Sequence, residues 1–378
     1  MLSSNVGYSI AMDASKSGEE TARKAVDTMF NPKIGLLYAN YQDSDKVLLG
    51  AKSILQEVPV IGSTVKDAIM VQDGIISSET GFSGMMVIDC EDMHVSVAGS
   101  ERGKNPREIG RQVALEAVRN SGLKIKPSYM YMVSFSREEE IYLKGIQDVV
   151  GRVPLFGGSV IEDKSSRIFC NDKVLKSGCA VAFFYTTNPI ATEYSSGYQE
   201  TKDMGIITKV EKYRSLMQID NMPALKKYTE WRNIKTKDLK DNSYVLSPLA
   251  IKDALGDVTV IRNLLDSSNG MLLSNDIKVG TAVIRMEATI EQLIDAPKKA
   301  IDHLNHLIDE EVGAYFLIHN MDRKLLIGSD FDKVYSKIKK SIGDTPFLMI
   351  FTPNEYGYSN HSANSCGSLM LSFTAFSR

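Results

Sequence analysis

The chain of 378 residues repeats part of its own pattern at a fixed distance. The stretch "EVPVIGSTVKD" (57–67) corresponds without gaps to "RVPLFGGSVIED" (152–163). Pro59 and Pro154 lie 95 positions apart, as do Gly62 and Gly157. A constant offset indicates duplication of a supersecondary unit, which restricts the fold to architectures built from repeated modules.

Both copies predict the same order of elements. An alternating run at 5–12 or 94–100 predicts a strand, and a helix follows it. We expect Ser17 with Glu20 to cap the first of these helices and Asn105 to cap its counterpart. A buried strand, a second helix, the proline-glycine stretch and a last apolar strand complete the order β-α-β-α-turn-β.

The first unit is placed at about 5–93 and the second at about 94–187, within an N-terminal part at 1–190. The same order recurs from "AVIRMEAT" (282–289) onward, which predicts a third unit at about 281–378. An insertion at about 190–280 precedes it, and both belong to a C-terminal part at 191–378. The alternation predicts an α/β fold of helix-covered sheets, in two halves with a cleft between them.

Composition narrows the class of protein. The formal net charge is −3, so no overall positive field attracts nucleic acid or anionic lipid. The longest apolar runs, such as "GCAVAFFY", are too short to cross a bilayer, and the N-terminus has no signal-peptide pattern. Four scattered cysteines without a C-x-x-C pair are typical of a reducing compartment. We expect a cytoplasmic protein with no nucleic-acid partner and no membrane insertion.

The repeated glycines have two interpretations. Consecutive bare N–H groups at Gly157, Gly158 and Ser159 can form an anion-binding nest beside a ligand. The alternative is a structural turn between helix and strand. The stretch matches neither the Walker nor the G-x-G-x-x-G pattern, so no nucleotide-binding motif supports the first interpretation.

Other polar residues are predicted to be structural. The acidic run "REEEI" (137–141) is typical of a first helical turn. His303 and His306 are predicted on a solvated helix surface rather than in a metal site. His361 lies near Cys366 in a polar loop, where a Cys–His nucleophilic pair is a weaker alternative.

Several segments resemble one known family. "PLFGGSVIED" (154–163) is similar to the P-x-x-G-G-S-x-x-D signature of FIST proteins, which carry an N-terminal and a C-terminal FIST part. Further segments resemble the family in the family's own order, and together they span essentially the whole chain: "IDNMPALKKY" (219–228), "SPLAI" (247–251), "VIRNLL" (260–265), "HNMDRKLLIG" (319–328), "NEYGYS" (354–359) and "ANSCGSLML" (363–371).

The resemblance implies a sensory role. FIST parts accompany histidine kinases, chemoreceptors or cyclases, and they bind small molecules such as amino acids. Because the FIST parts account for the whole length, we expect a stand-alone sensor of an amino acid or similar small polar metabolite. Such a sensor would signal to a separate partner, for example a histidine kinase.

Matching the family's polar positions gives the candidate ligand-binding residues Gly157, Gly158, Ser159, Asp163, Arg262, Arg323, Glu355 and Asn364. Guanidinium groups would hold a ligand carboxylate, and a carboxylate would hold its ammonium group. An internal ion pair between the same groups is the alternative. We expect at least three of the six polar side chains to line one cavity between the two parts. The chain departs from the family at Asn320, Asn354 and Cys366.

Two other functions stay open on the sequence. A hydrolase-like enzyme would use Ser159, Thr64 or Cys366 as its nucleophile, although no base is evident beside any of them. A haem-based gas sensor, a function some FIST members have, would need an axial His, Cys or Tyr in an apolar pocket. The first expectation is a binding module without catalytic residues, metal or cofactor.

Overall fold

The first unit covers one face of a mixed sheet with two helices. A computed structural model describes residues 1–239, 243–252, 259–268, 270–358 and 364–378. The elements of this unit are β1 (Leu2–Ser9), α1 (Ala14–Val26), β2 (Pro32–Asn40), α2 (Ser44–Leu55), β3 (Val60–Thr64), β4 (Ile69–Val71), β5 (Gly74–Ile76) and β6 (Phe82–Cys90). Helix α1 begins earlier than predicted, because Asp13 rather than Ser17 caps it by accepting from the N–H of Lys16.

The second unit repeats this arrangement. Its elements are β7 (His94–Ser100), α3 (Pro106–Ser121), β8 (Tyr129–Phe135), α4 (Glu139–Val150), β9 (Leu155–Val160), β10 (Ile168–Cys170), β11 (Lys173–Leu175) and β12 (Cys179–Tyr185). Asn105 caps α3 as predicted. The strand order β7-β12-β8-β9 reproduces β1-β6-β2-β3, which confirms the predicted duplication.

Repeated glycines let the two helices of each unit pack closely. A Cβ at Gly50 would lie 1.9 Å from the carbonyl oxygen of Ser15, and one at Gly145 would lie 1.9 Å from that of Arg107. Such distances exclude any side chain, so the 95-residue spacing of these glycines preserves one helix contact in both units.

The third unit begins at a different strand from the predicted one. Its first strand is β13 (Ile190–Ser195), and the insertion follows with β14 (Gln199–Glu211), β15 (Ser215–Ile219), β16 (Met222–Pro223), α5 (Ala224–Trp231), α6 (Ser243–Leu246), β17 (Leu249–Lys252), β18 (Thr259–Arg262), β19 (Leu264–Asp266), β20 (Met271–Leu273) and β21 (Ala282–Glu287). Strand β21, expected to open the third unit, pairs with β14 and β17 in the sheet of the insertion. Both β13 and β21 are six-residue strands of mixed polarity, and their pairing partners show which of them belongs to the third unit.

The rest of the third unit completes the common pattern. It contains α7 (Ile290–Leu307), β22 (Val312–Asn320), α8 (Met321–Ile327), α9 (Phe331–Ile342), β23 (Phe347–Thr352), β24 (Glu355–Gly357), β25 (Ser365–Gly367) and β26 (Leu371–Ser377). The order β13-β26-β22-β23 matches the other two units. The insertion therefore interrupts this unit between its first strand and its first helix.

The three units exchange hairpins in a cycle. Hairpin β10–β11 of the second unit extends the sheet of the first beside β3. Hairpin β24–β25 of the third unit extends the sheet of the second beside β9, and β4–β5 of the first extends the sheet of the third beside β23. Each of these sheets is thus completed by another unit, so the units fold as one body.

A common core lies between the three sheets, and each unit has a further core under its helices. Tyr38, Tyr131, Phe156 and Phe316 meet in the central core, where the hydroxyl groups of the two tyrosines are 2.7 Å apart. The predicted α/β class with helix-covered sheets is confirmed. Among the described helices, none combines the length and apolarity that a bilayer span requires.

Candidate functional site

The glycines of the repeated stretch lie inside strands rather than in a turn. Gly157 of β9 stands opposite Met132 of β8 and Tyr356 of β24. Its φ is +155°, and a Cβ there would lie 2.0 Å from the carbonyl oxygen of Met132. A Cβ at the equivalent Gly62 would lie 1.8 Å from the carbonyl oxygen of Leu37. The bare backbone serves close approach between strands, so the predicted turn is wrong and these glycines have their structural role inside a strand.

Glu355 lies opposite Gly158 and is fully buried. Its carboxyl group accepts hydrogen bonds from the hydroxyl of Thr352 (2.9 Å), the backbone N–H of Met370 (2.9 Å) and the side-chain amide of Asn320 (3.1 Å). Burial raises its pKa to about 8, against the lowering effect of these hydrogen bonds. The group is therefore mostly protonated, and uncharged, at neutral pH.

Arg323 is fully buried in the first turn of α8. Its Nη1 donates to the carbonyl oxygens of Ser196 (2.8 Å) and Leu369 (3.2 Å), and its Nη2 donates to that of Leu293 (3.4 Å). Its Nε has no hydrogen-bond partner. Desolvation lowers its pKa. In the described part of the chain it forms no ion pair with Glu355, so the internal pair considered as an alternative is absent.

Arg262 at the end of β18 is a second buried guanidinium. It donates to the carbonyl oxygens of Cys366 (2.9 Å), Ile261 (3.2 Å) and Asp276 (3.2 Å). Desolvation lowers its pKa as well. The charges of Arg262 and Arg323 are thus balanced by backbone dipoles, and the ion pairs of the described residues include neither of them.

Glu139 is a site residue that sequence reasoning missed. The acidic run predicts a first helical turn, which is confirmed, and the structure adds that Glu139 is fully buried at the start of α4. Its carboxyl group accepts from the side-chain amide of Asn354 at 2.7 Å. Burial, with the neighbouring charge of Glu140, raises its pKa to about 8. The 95-residue offset places it on Ser44, which is also buried.

These groups form one cluster where the second unit, the third unit and the insertion meet. We call Glu139, Arg262, Asn320, Arg323, Asn354 and Glu355 the junction cluster. Each of the six is at most 6% exposed. The side-chain amide of Asn354, just after β23, donates a hydrogen bond to Glu139 at the start of α4. The side-chain amide of Asn320, at the end of β22, donates one to Glu355.

The insertion covers this cluster through ion pairs. Arg214, between β14 and β15, approaches Glu140 at 2.9 Å and Glu139 at 3.5 Å through Nη2. Its Nε lies 3.2 Å from a carboxylate oxygen of Asp276. We call this contact of Arg214 with the three acidic groups the latch. It attaches the insertion to the second unit by interactions that depend on ionisation.

Ser159 lies at a separate cavity where the three units meet. This cavity of about 20 Å³ is also lined by Thr64, Lys66 and Pro353, and it has room for about one water molecule. The hydroxyl of Ser159 is 3.5 Å from the carbonyl oxygen of Asn354, which joins it to the edge of the junction cluster. The other five polar candidates are not among the residues that line this cavity, so their grouping around one cavity stays a prediction.

Asp163 and Asn364 lie apart from the junction cluster. Burial alone would raise the pKa of Asp163. The ammonium group of Lys66 at 2.5 Å and hydrogen bonds from Ser165 outweigh burial and hold this pKa well below its usual range. The side-chain amide of Asn364 donates to the carbonyl oxygen of Val153 at 2.8 Å, before the start of β9. Both residues therefore stabilise loops.

The candidate nucleophiles of the enzyme alternative are Thr64, Ser159 and Cys366, and the first two line the same small cavity. The hydroxyls of Thr64 and Ser159 hydrogen-bond to backbone carbonyls. Burial raises the pKa of the Cys366 thiol well above its ordinary value, which is opposite to the activation of a nucleophile. His361 lies outside the described residues.

Two of the described histidines, His94 and His319, lie in strands. His319 is fully buried, and its Nε2 has no hydrogen-bond partner. Its ring is enclosed by Phe331 at 5.3 Å and Phe351 at 5.9 Å, which leaves no space for a porphyrin. His94 borders an open cleft of about 560 Å³ whose lining includes the acidic Glu91 and Asp92 and the apolar Leu123 and Ile125. No group of three or more His, Cys, Asp or Glu within the described residues is arranged to hold a metal ion.

Comparison with family models decides the classification. Residues 33–222 match the FIST N domain, and residues 224–357 match the FIST C domain. The chain belongs to the FIST family. FIST domains are sensory domains of signal transduction. The boundary between the two matches falls inside the insertion, at the start of α5.

Solved structures show only distant likeness to this FIST protein. Cyanuric acid hydrolase from A. caulinodans aligns with 9% identity and a TM-score of 0.41 over 100% of both chains. Another cyanuric acid hydrolase aligns with 9% identity and a TM-score of 0.36 over 100% of both chains. PurLQS from Thermotoga maritima aligns with 7% identity and a TM-score of 0.25, covering 99% of this chain and 72% of that one. No curated protein sequence matches the chain.

Proposed function

We propose that this FIST protein is a cytoplasmic sensory module that binds a small zwitterionic metabolite, such as an α-amino acid, at the junction cluster. It passes its state to a separate signalling partner, for example a histidine kinase. The proposal rests on the family's sensory role and on one feature of the junction: two buried guanidinium groups without a carboxylate partner lie near two buried carboxyl groups with raised pKa.

The chemistry of these groups suits a zwitterion. A ligand carboxylate would supply the negative charge that Arg262 and Arg323 lack, and guanidinium groups bind carboxylates through paired hydrogen bonds. Burial raises the pKa of the carboxyl groups of Glu139 and Glu355, so both hold a proton more tightly than an exposed carboxyl group does. A ligand ammonium group nearby would favour their ionised forms, so binding should release protons.

Binding at this place requires the insertion to move. All six residues of the junction cluster are buried, and the latch holds the insertion over Glu139. A change in the ionisation of Glu139 alters the attraction that Arg214 feels. Ligand binding and the position of the insertion would thereby be coupled, which gives the partner a surface that reports on the ligand.

A thermal-shift comparison of three ligand classes tests the proposal: the twenty amino acids, the matching carboxylic acids without an amino group, and the matching amines without a carboxyl group. A ligand present at a hundred times its Kd adds about 2.7 kcal/mol of stability. We expect stabilisation only by compounds that carry both groups. Stabilisation by none of the three classes would exclude the proposal.

Variants place the binding site. Arg262→Lys keeps the charge but loses the planar pair of donors, and we expect at least about tenfold weaker binding. Arg167→Lys is the matched control, because Arg167 pairs with Asp45 at the corresponding junction of the first two units. Calorimetry in buffers of different ionisation enthalpy measures the protons released on binding. Equal losses of affinity in both variants would place the ligand elsewhere.

A further inference from the structure

The insertion carries a basic surface on a protein that is acidic overall. Residues 223–239, comprising α5 and the segment after it, contain five basic and two acidic side chains, whereas the whole chain has a net charge of −3. We call this segment the basic surface; its basic residues are Lys226, Lys227, Arg232, Lys235 and Lys237. The concentration of positive charge in one short segment marks a candidate interaction site.

Part of this charge is not neutralised within the protein. Lys227 pairs with Asp220 at 3.2 Å, and Lys226 approaches Glu230 at 3.9 Å. Lys235 and Lys237 are exposed, and neither belongs to an ion pair of the described residues. Their ammonium groups are available to an acidic partner.

An open cleft adjoins the basic surface. It has a volume of about 550 Å³. Its lining is more polar than apolar: Arg232, Arg285, Glu287 and Gln292 lie beside Trp231 and Leu246. Trp231 is the only tryptophan of the chain, and its side chain is partly exposed. The Nε of Arg285 lies 2.7 Å from a carboxylate oxygen of Asp203, and this ion pair fixes the position of the Arg285 side chain in the wall of the cleft. The cleft is large enough for one aromatic or large aliphatic side chain.

We propose that the basic surface and this cleft form the docking site for an acidic segment of the signalling partner. Acidic side chains of that segment pair with Lys235 and Lys237, and one apolar side chain enters the cleft against Trp231. A buried anchor surrounded by complementary charges is the usual arrangement of a protein interface. A planar membrane surface can meet the lysines but cannot fill the cleft, and this favours a peptide.

The inference rests on the proposed function, in which the protein passes its state to a separate partner. It also connects the latch with the docking site. Arg214 belongs to the same insertion as the basic surface, so any movement of the insertion at the junction cluster displaces the docking site as well.

The fluorescence of Trp231 provides a direct assay, because no other tryptophan contributes. The full chain is titrated at low salt with a synthetic decapeptide of glutamates around one central phenylalanine. The lysine version of the same peptide is the charge control. We expect a saturable change with the glutamate peptide alone, weakened by added salt because the paired charges are solvent-exposed.

The double variant Lys235→Glu/Lys237→Glu should raise the Kd of the glutamate peptide about tenfold or more. The matched control is Lys299→Glu/Lys340→Glu, which makes the same charge change on the exposed surfaces of α7 and α9. It should change the Kd less than twofold.

Three results would overturn the inference: no fluorescence response to the glutamate peptide, equal Kd values in the two double variants, or a response to phosphatidylglycerol vesicles alone. The thermal shift by amino acids is measured on the same proteins. If that shift persists in Lys235→Glu/Lys237→Glu, only the docking site has been lost, so failure of the docking inference and failure of the proposed function are distinguishable.

Discussion

Replacing Glu355 by glutamine tests whether its buried carboxyl group is neutral in the folded protein. Its folded pKa is about 8, against an ordinary value of 4.5 in the unfolded chain. Between these values the unfolded state has lost a proton that the folded state keeps. The free energy of unfolding must therefore fall as pH rises through this range, and the contribution of Glu355 is complete only below pH 4.5.

The size of the effect follows from proton linkage. One proton of difference corresponds to a slope of about −1.4 kcal/mol per pH unit. Between pH 5.5 and pH 7.5 the wild-type protein should lose about 2.7 kcal/mol through Glu355. Glu355→Gln cannot ionise, so the variant should gain this amount relative to wild type over the same range. Glu139 contributes to both proteins alike and cancels in the difference.

Urea unfolding at several pH values provides the measurement. Trp231 fluorescence and circular dichroism should give coincident transitions, which is required before a free energy is assigned. Glu200→Gln is the control. Hydrogen bonds from Thr259 and Lys252 lower the pKa of Glu200, so its removal should shift the stability by a constant amount over this range. A difference between wild type and Glu355→Gln that stays within about 0.5 kcal/mol from pH 5.5 to pH 7.5 would refute a neutral Glu355.

Three further variants test other parts of the structure. In urea unfolding, Gly157→Ala should destabilise the protein by at least about 3 kcal/mol, because the added Cβ would overlap the carbonyl group of Met132. Gly122→Ala is the control: Gly122 also has a positive φ, but a Cβ there would meet open space, so the cost should be about 1–2 kcal/mol. Arg323→Ala should cost about 3–5 kcal/mol, because three buried carbonyl groups lose their donor; a change below about 1 kcal/mol would contradict the contacts described. Arg214→Ala removes the ion pairs of the latch, so limited proteolysis should cleave the insertion faster than in wild type while the three units stay resistant. An unchanged cleavage rate would show that the latch does not hold the insertion in place.

The sequence alone determined the repeated unit and most of its elements. Helices α3 and α4 and strand β8 follow from short-range periodicity, capping at Asn105 and the fixed 95-residue offset, whereas the stretch predicted as a turn is strand β9. Gly50 and Gly145 recur because the same two helices meet in both units. Such features depend on residues close together in the chain, so pattern reasoning recovers them.

Only the tertiary structure decided how the units join and where the buried charges lie. The hairpin exchange depends on which distant strands pair, and a three-residue strand such as β24 carries little pattern of its own. Strand β21 looked like the start of the third unit until its pairing with β14 was known. The acidic run predicted the helix start that contains Glu139, but it gave no sign that this side chain is buried. Burial of a charged group is set by segments far away in the chain, here Arg214 and Asn354, and it is that burial which raises the pKa of Glu139 and makes the junction a candidate site.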